Sequence, residues 1–113
     1  MIDCSAEPSV QAGLEHSPRY LLETDLVGTI NCLEAARARG AAFLFLSTSR
    51  IYPIARLNAL PYDETETRFH WREEPGVPGF SECGIAEDFP ISGARSFYGA
   101  SKLAGEQLIQ EYV

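Results

Sequence analysis

Apolar positions along the chain fall into stretches with different periods. Over residues 17–39, Leu22, Leu26, Ile30 and Leu33 recur at helical spacing, with Tyr20 and Ala36 nearby. Ser17 is a suitable N-cap and Pro18 a suitable first helical residue. Arg37 and Arg39 favour the dipole in the last turn, and Gly40 supplies the stop. The pattern predicts one long amphipathic helix over 17–39. Gly28 in its interior costs about 1 kcal/mol relative to Ala, which points to close packing there. Cys32 reads as a small core residue. Directly after the helix, Ala42-Phe43-Leu44-Phe45-Leu46-Ser47 is a continuous apolar run, as expected for a strand buried on both faces of a parallel sheet. Residues 1–6 read as the end of an earlier strand, turning at once into Glu7-Pro8-Ser9. Strand, long helix and strand make a βαβ unit. A second amphipathic helix is predicted over 96–113, capped by Ser96, with Ala100, Leu103, Ala104, Leu108, Ile109 and Tyr112 as its apolar face.

Between these elements lies a segment, 53–95, without helical or strand periodicity. It holds five of the seven prolines, four glycines and the acidic clusters Asp63-Glu64-Thr65-Glu66 and Glu73-Glu74. A connection of this length is functional or disordered more often than not. Its aromatics, Tyr62, Phe69, Trp71, Phe80 and Phe89, argue against disorder. It reads as an ordered excursion over the site. Trp71 reads as a local packing anchor, with stacking on a base or sugar as the other reading.

Composition narrows the class. At 113 residues the chain is at most one small domain. The net charge of −7, from 16 acidic and 9 basic residues, disfavours nucleic acid and anionic membrane as partners. No apolar run reaches membrane-spanning length, and the start lacks the pattern of a signal peptide. Cys4, Cys32 and Cys83 have no Cys-x-x-Cys spacing and fit free thiols in a reducing cytoplasm. His16 and His70 read as surface residues, and no metal site is legible.

The candidate chemistry begins with Tyr98 and Lys102. Four residues apart at a helix start, they lie on one face. A fixed positive charge beside a phenol favours the phenolate, so the pair can serve as a general acid/base. Lys102 is the single lysine among eight arginines, and a point charge suits this task better than a planar fork. The bland alternative is a surface pair worth a few tenths of a kcal/mol. Ligands of parallel sheets bind outside the carboxyl ends of the strands. Ser47-Thr48-Ser49 falls at such an end, where the hydroxyls could bond a substrate or terminate the strand locally.

Taken together, these residues resemble the extended short-chain dehydrogenase/reductase family, the NAD(P)-dependent epimerases, dehydratases and reductases of nucleotide sugars. Residues 4–10, Cys-Ser-Ala-Glu-Pro-Ser-Val, stand where that family often has His-Leu-Ala-Ala-Gln-x-Ser-Val. Asp25-Leu26-Val27-Gly28-Thr29 resembles Asn-Val-x-Gly-Thr, and Leu33-Glu34-Ala35-Ala36 is also typical. Leu46-Ser47-Thr48-Ser49-Arg50-Ile51-Tyr52 resembles Ser-Ser-Thr-Ser-x-Val-Tyr. The resemblance implies an α/β fold, the central fragment of a Rossmann-like doubly wound parallel sheet. Residues 1–113 would be a partial NAD-binding domain, without the N-terminal glycine-rich half and the C-terminal substrate domain.

By the same resemblance, Tyr98 is the acid/base, Lys102 favours its ionised form and bonds the nicotinamide ribose, and Thr48 bonds the reacting sugar hydroxyl. Ser5, Ala6 and Ser47 line the cofactor, NAD, with NADP not excluded. The run Tyr62-Asp63-Glu64-Thr65-Glu66-Thr67-Arg68-Phe69 resembles the CDP-paratose 2-epimerases (CDP-tyvelose epimerases), which implies a nucleotide-sugar substrate. A C4 epimerase or reductase of the same family, or a non-catalytic assembly module, are the alternatives. Ser49-Arg50 stand where the dehydratases place Asp-Glu, which disfavours dehydration. Asp25 replaces the usual Asn, Asp3 a frequent His, and Pro53 a common Gly. A homodimer through helices 17–39 and 96–113 is implied. The isolated chain, without a Gly-x-x-Gly-x-x-Gly turn, is expected neither to bind NAD tightly nor to turn over.

Overall fold

The computed structural model describes residues 1–112 except 8, 10, 15, 16, 73 and 75. Readings that involve Pro8, Val10, His16, Glu73 and Val113 therefore lie outside the described residues. The chain divides into two compact units, Met1–Ile51 with Arg95–Val113, and Tyr52–Ala94.

The first unit is α/β. Strand β1 (Ile2–Asp3) pairs in parallel with β2 (Leu44–Phe45), Ile2 opposite Leu44 and Asp3 opposite Phe45. Leu44 N–H donates to Met1 O at 2.9 Å and Leu46 N–H to Asp3 O at 3.0 Å. The predicted βαβ unit is thus present, with shorter strands than the apolar run suggested. Among the described residues the parallel sheet consists of this one pair, which does not make a doubly wound sheet. Burial on both faces does not hold: Leu44 is 52% and Leu46 50% exposed. Phe45, on the opposite face, packs on α4 (Phe97–Glu111), where a Cβ at Gly105 would come within 3.0 Å of the ring.

The connecting helix is not uniform. It runs as α1 (Arg19–Leu22), a wide π-helical turn (Glu23–Val27) and α2 (Gly28–Ala38). Its buried positions are Leu21, Asp25, Thr29, Leu33 and Ala36, so the inward stripe is offset by one residue from the predicted Leu22, Leu26 and Ile30. Single-turn π-bulges commonly mark functional sites. Here the turn carries the Asp25 side chain into the interior. The first helical residue is Arg19 rather than Pro18, although Ser17 Oγ does accept from Arg19 N–H at 3.3 Å. The C-terminal stop is as expected. Gly40 takes φ +57°, with Gly40 N–H on Arg37 O and Ala41 N–H on Ala36 O, the Schellman pattern. Gly28 is not a close-packing site, because a Cβ there meets nothing within 4 Å. Cys32 is half-buried rather than in the core.

On α4, Ser96 caps as expected, its Oγ accepting from Gly99 N–H at 3.1 Å. The buried face is Gly99, Ser101, Lys102 and Gly105, whereas Ala100 is exposed. Small residues win these positions because backbone comes close: a Cβ at Gly99 would lie 2.1 Å from Arg50 O.

The second unit corrects the expectation of an excursion without a helix. It contains α3 (Ile54–Asn58), between Pro53 and Pro61, and two antiparallel hairpins. The first pairs β3 (Tyr62–Glu64) with β4 (Phe69–Trp71), and the second pairs β5 (Phe80–Ser81) with β6 (Gly84–Ile85). Trp71 stacks edge-on with Tyr62 (6.4 Å) and Phe80 (5.5 Å), which fits its reading as a packing anchor. Pro53, Leu60 and Phe89 are its buried apolar side chains among the described residues. Cys4, Cys32 and Cys83 are free thiols. Among the described residues no helix is long and apolar enough to cross a membrane.

Candidate active site

The carboxyl ends of β1 and β2 and the first turns of α4 meet within the first unit. Lys102 is 2% exposed, so its ammonium must be compensated locally. Nζ donates to Leu46 O at 3.2 Å and, more loosely, to Ser5 O at 3.5 Å. It also lies 4.5 Å from the centre of the Phe45 ring, a cation–π contact. An ammonium carries three N–H donors, so one remains after the two carbonyls. That donor set fits a hydroxyl-rich ligand such as a ribose.

Tyr98, one turn earlier on α4, is half-buried. Among the described residues its phenol makes no direct hydrogen bond to Lys102 or Thr48. Thr48 is also half-buried, and its Oγ1 accepts from Arg50 N–H at 3.2 Å, closing the short 3-10 turn Ser49–Ile51. Its own O–H remains available to donate. Ser47 is exposed beside Leu46, whose carbonyl takes Lys102. Ser5 is exposed and Ala6 half-buried on the β1 exit. The structure therefore brings Ser5, the 46–47 strand end and Lys102 together, and joins Tyr98 to them through α4.

A buried polar network behind these residues escaped the sequence reading. Asp25 is 2% exposed. Its Oδ1 accepts from Glu7 N–H at 2.6 Å and its Oδ2 lies 3.3 Å from Ser101 Oγ. Ser101 Oγ is also within donating distance of Tyr98 O, at 2.8 Å. Thr29 Oγ1 lies 2.7 Å from Asp25 O and 3.3 Å from Asp3 Oδ2. Asp3 Oδ1 accepts from Ser5 N–H at 3.0 Å and from Ser5 Oγ–H at 2.6 Å. Carboxylates are rarely buried unless they are paired or hydrogen-bonded. Among the described residues these two achieve it through hydroxyls and backbone N–H groups rather than ion pairs. The only signal in the sequence was that Asp3 and Asp25 depart from the expected His and Asn.

Comparison with solved structures finds the X-ray structure of Pal from Bacillus thuringiensis, at 25% sequence identity and a TM-score of 0.63, covering 98% of this chain and 27% of that one. The chain thus spans about a quarter of that structure's length. No curated protein sequence matches it. The model of the NAD dependent epimerase/dehydratase family matches residues 1–113, and the chain belongs to that family.

Proposed function

We propose that this chain carries the acid/base half of an NAD-dependent nucleotide-sugar epimerase of the CDP-paratose 2-epimerase type. The observation that carries the proposal is Lys102: a buried ammonium held by carbonyls at two strand ends, with a donor to spare, one helical turn from a half-buried tyrosine. Family membership supports a nicotinamide cofactor. When bound, that cofactor supplies the acceptor and donor of a hydride at one sugar carbon. Tyr98 would take the proton of the hydroxyl on that carbon and return it to the re-formed alcohol. Lys102 would favour the ionised phenol and bond the ribose through its third N–H. Thr48 would donate its remaining hydroxyl proton to the sugar oxygen, while Ser5, Ala6 and Ser47 line the nicotinamide side. Residues 1–113 would then form a partial domain within a larger enzyme. Free thiols suit a cytoplasmic setting. Exposed Tyr20, Val27 and Phe97 suit a homodimer through the two long helices.

The test is turnover of a panel of nucleotide sugars by the chain expressed within its flanking sequence. CDP-paratose is the expected substrate, and Tyr98→Phe is expected to lower turnover by about 100-fold or more. Unchanged turnover in that variant would remove Tyr98 from the chemistry. Inactivity of both proteins on every sugar would favour the assembly reading.

A further inference from the structure

We propose that Asp3 is a positioning residue for Lys102, acting through the backbone of Ser5; the consequence for catalysis rests on the role proposed for Lys102 above. β1 stops at Asp3, whose carbonyl accepts the last bond of the parallel pair, from Leu46 N–H at 3.0 Å. Beyond that point no sheet bond among the described residues holds Ser5, and Ser5 is itself exposed. Its carbonyl nevertheless is one of the two that face the buried ammonium.

The group that fixes Ser5 is the side chain two residues before it. Asp3 is 3% exposed, and its Oδ1 takes both Ser5 donors, N–H at 3.0 Å and Oγ–H at 2.6 Å. This i to i+2 arrangement is an Asx turn, in which a carboxylate replaces a backbone acceptor. Two bonds to one residue fix both its backbone and its side-chain rotamer. Oδ2 is steadied by the Thr29 hydroxyl at 3.3 Å. Among the described residues Asp3 has no ion-pair partner. A buried carboxylate of this kind is poor stabilising material compared with a neutral residue. Its value lies in where it places Ser5.

The single lysine makes the test direct, because lysine labelled with 13C at Cε gives one ε-methylene signal, that of Lys102. Asp3→Ala is expected to move that signal in the folded chain. It should also speed acetylation of Lys102 Nζ, read by mass spectrometry on the peptide containing it, by roughly tenfold or more, as for a lost hydrogen bond to a charged group. Asp3→Asn keeps an acceptor oxygen for Ser5 and is expected to restore the wild-type signal and protection. Ser5→Ala, which deletes only the hydroxyl contact, should give a smaller shift in the same direction as Asp3→Ala. A general loss of stability would raise acetylation without moving the folded-state resonance. Wild-type shift and acetylation rate in folded Asp3→Ala, or in Ser5→Ala where Asp3→Ala does not fold, would overturn the proposal. These readouts need no turnover. Full activity of Lys102→Met would instead strike at the catalytic reading and leave the geometric one standing.

Discussion

At the scale of single residues, Asp25 joins three parts of the first unit that are distant in sequence. Its carboxylate takes the Glu7 N–H and lies by Ser101, from the π-helical turn on which it resides. Asp25→Ala would leave a backbone N–H without its acceptor. Its expected cost is about 1–3 kcal/mol, measured by urea unfolding followed through helical circular dichroism. Asp25→Asn should cost less, since the amide oxygen can still accept from Glu7 N–H and the amide NH2 can donate to Ser101 Oγ. Tyr98 and Lys102 were legible in the sequence because a helix start and a four-residue spacing define a shared face. Asp3 and Asp25 were not. An acidic residue reads as a surface residue by default, and only the tertiary arrangement of hydroxyls and N–H groups shows why these two can be buried. Thr48 is the intermediate case. Its position at the strand end was legible, while its bond to Arg50 N–H shows the same hydroxyl also serving the local turn.

At the scale of elements, the helix over 17–39 was predicted in extent, and in phase at Leu33 and Ala36 but not before them. A straight helix puts Leu22, Leu26 and Ile30 inward, and the π turn puts Leu21, Asp25 and Thr29 there instead. Nothing in the hydrophobic period announces an extra residue in a turn, because the apolar side chains on either side satisfy both phases. Gly28 gives a clean test. With helical φ of −56° and no neighbour for a Cβ, Gly28→Ala is expected to stabilise the chain by about 0.5–1 kcal/mol, read as a raised melting temperature. The far ends of α2 and α4 are tied by Tyr112 O–H donating to Glu34 at 2.7 Å, with Arg37 on the same carboxylate. The Arg37 hydrogen bond, and then that of Tyr112, holds Glu34 below its ordinary 4.5; the bond to Glu34 raises Tyr112 above 10.0. For Glu34 the contribution is therefore present above the carboxylate's unfolded value and lost as pH falls through the lowered one. For Tyr112 it is present below the phenol's unfolded value and lost as pH rises through the raised one. The Tyr112 ring resonances should accordingly report an intact tie across the neutral range and its loss at both extremes. In Glu34→Gln the acid-side change should disappear.

At the scale of the whole molecule, the two units differ in how they were read and in what holds them. The helices and parallel strands of the first unit follow from hydrophobic period, capping residues and chain order. The second unit gave little away. Five helical residues between two prolines and strands of two or three residues are too short to show a period, and their aromatics announce only that some packing occurs. The apolar interior of the first unit is built on Leu21, Leu33 and Ala36 together with its buried polar network, whereas that of the second rests on Pro53, Leu60, Phe89 and edge-on aromatic contacts. The edge-on seating of Trp71 between Tyr62 and Phe80 gives the chain a built-in reporter. It is the sole tryptophan, so indole emission follows the Tyr52–Ala94 unit, while helical circular dichroism is dominated by the longer helices of the first unit. If the chain unfolded in a single all-or-none transition, emission and helical circular dichroism would change together. With the slighter interior of the second unit, the emission change is expected first, at the lower temperature. Coincident curves would instead show one cooperative body, and the tryptophan would then be a thermometer for the entire chain.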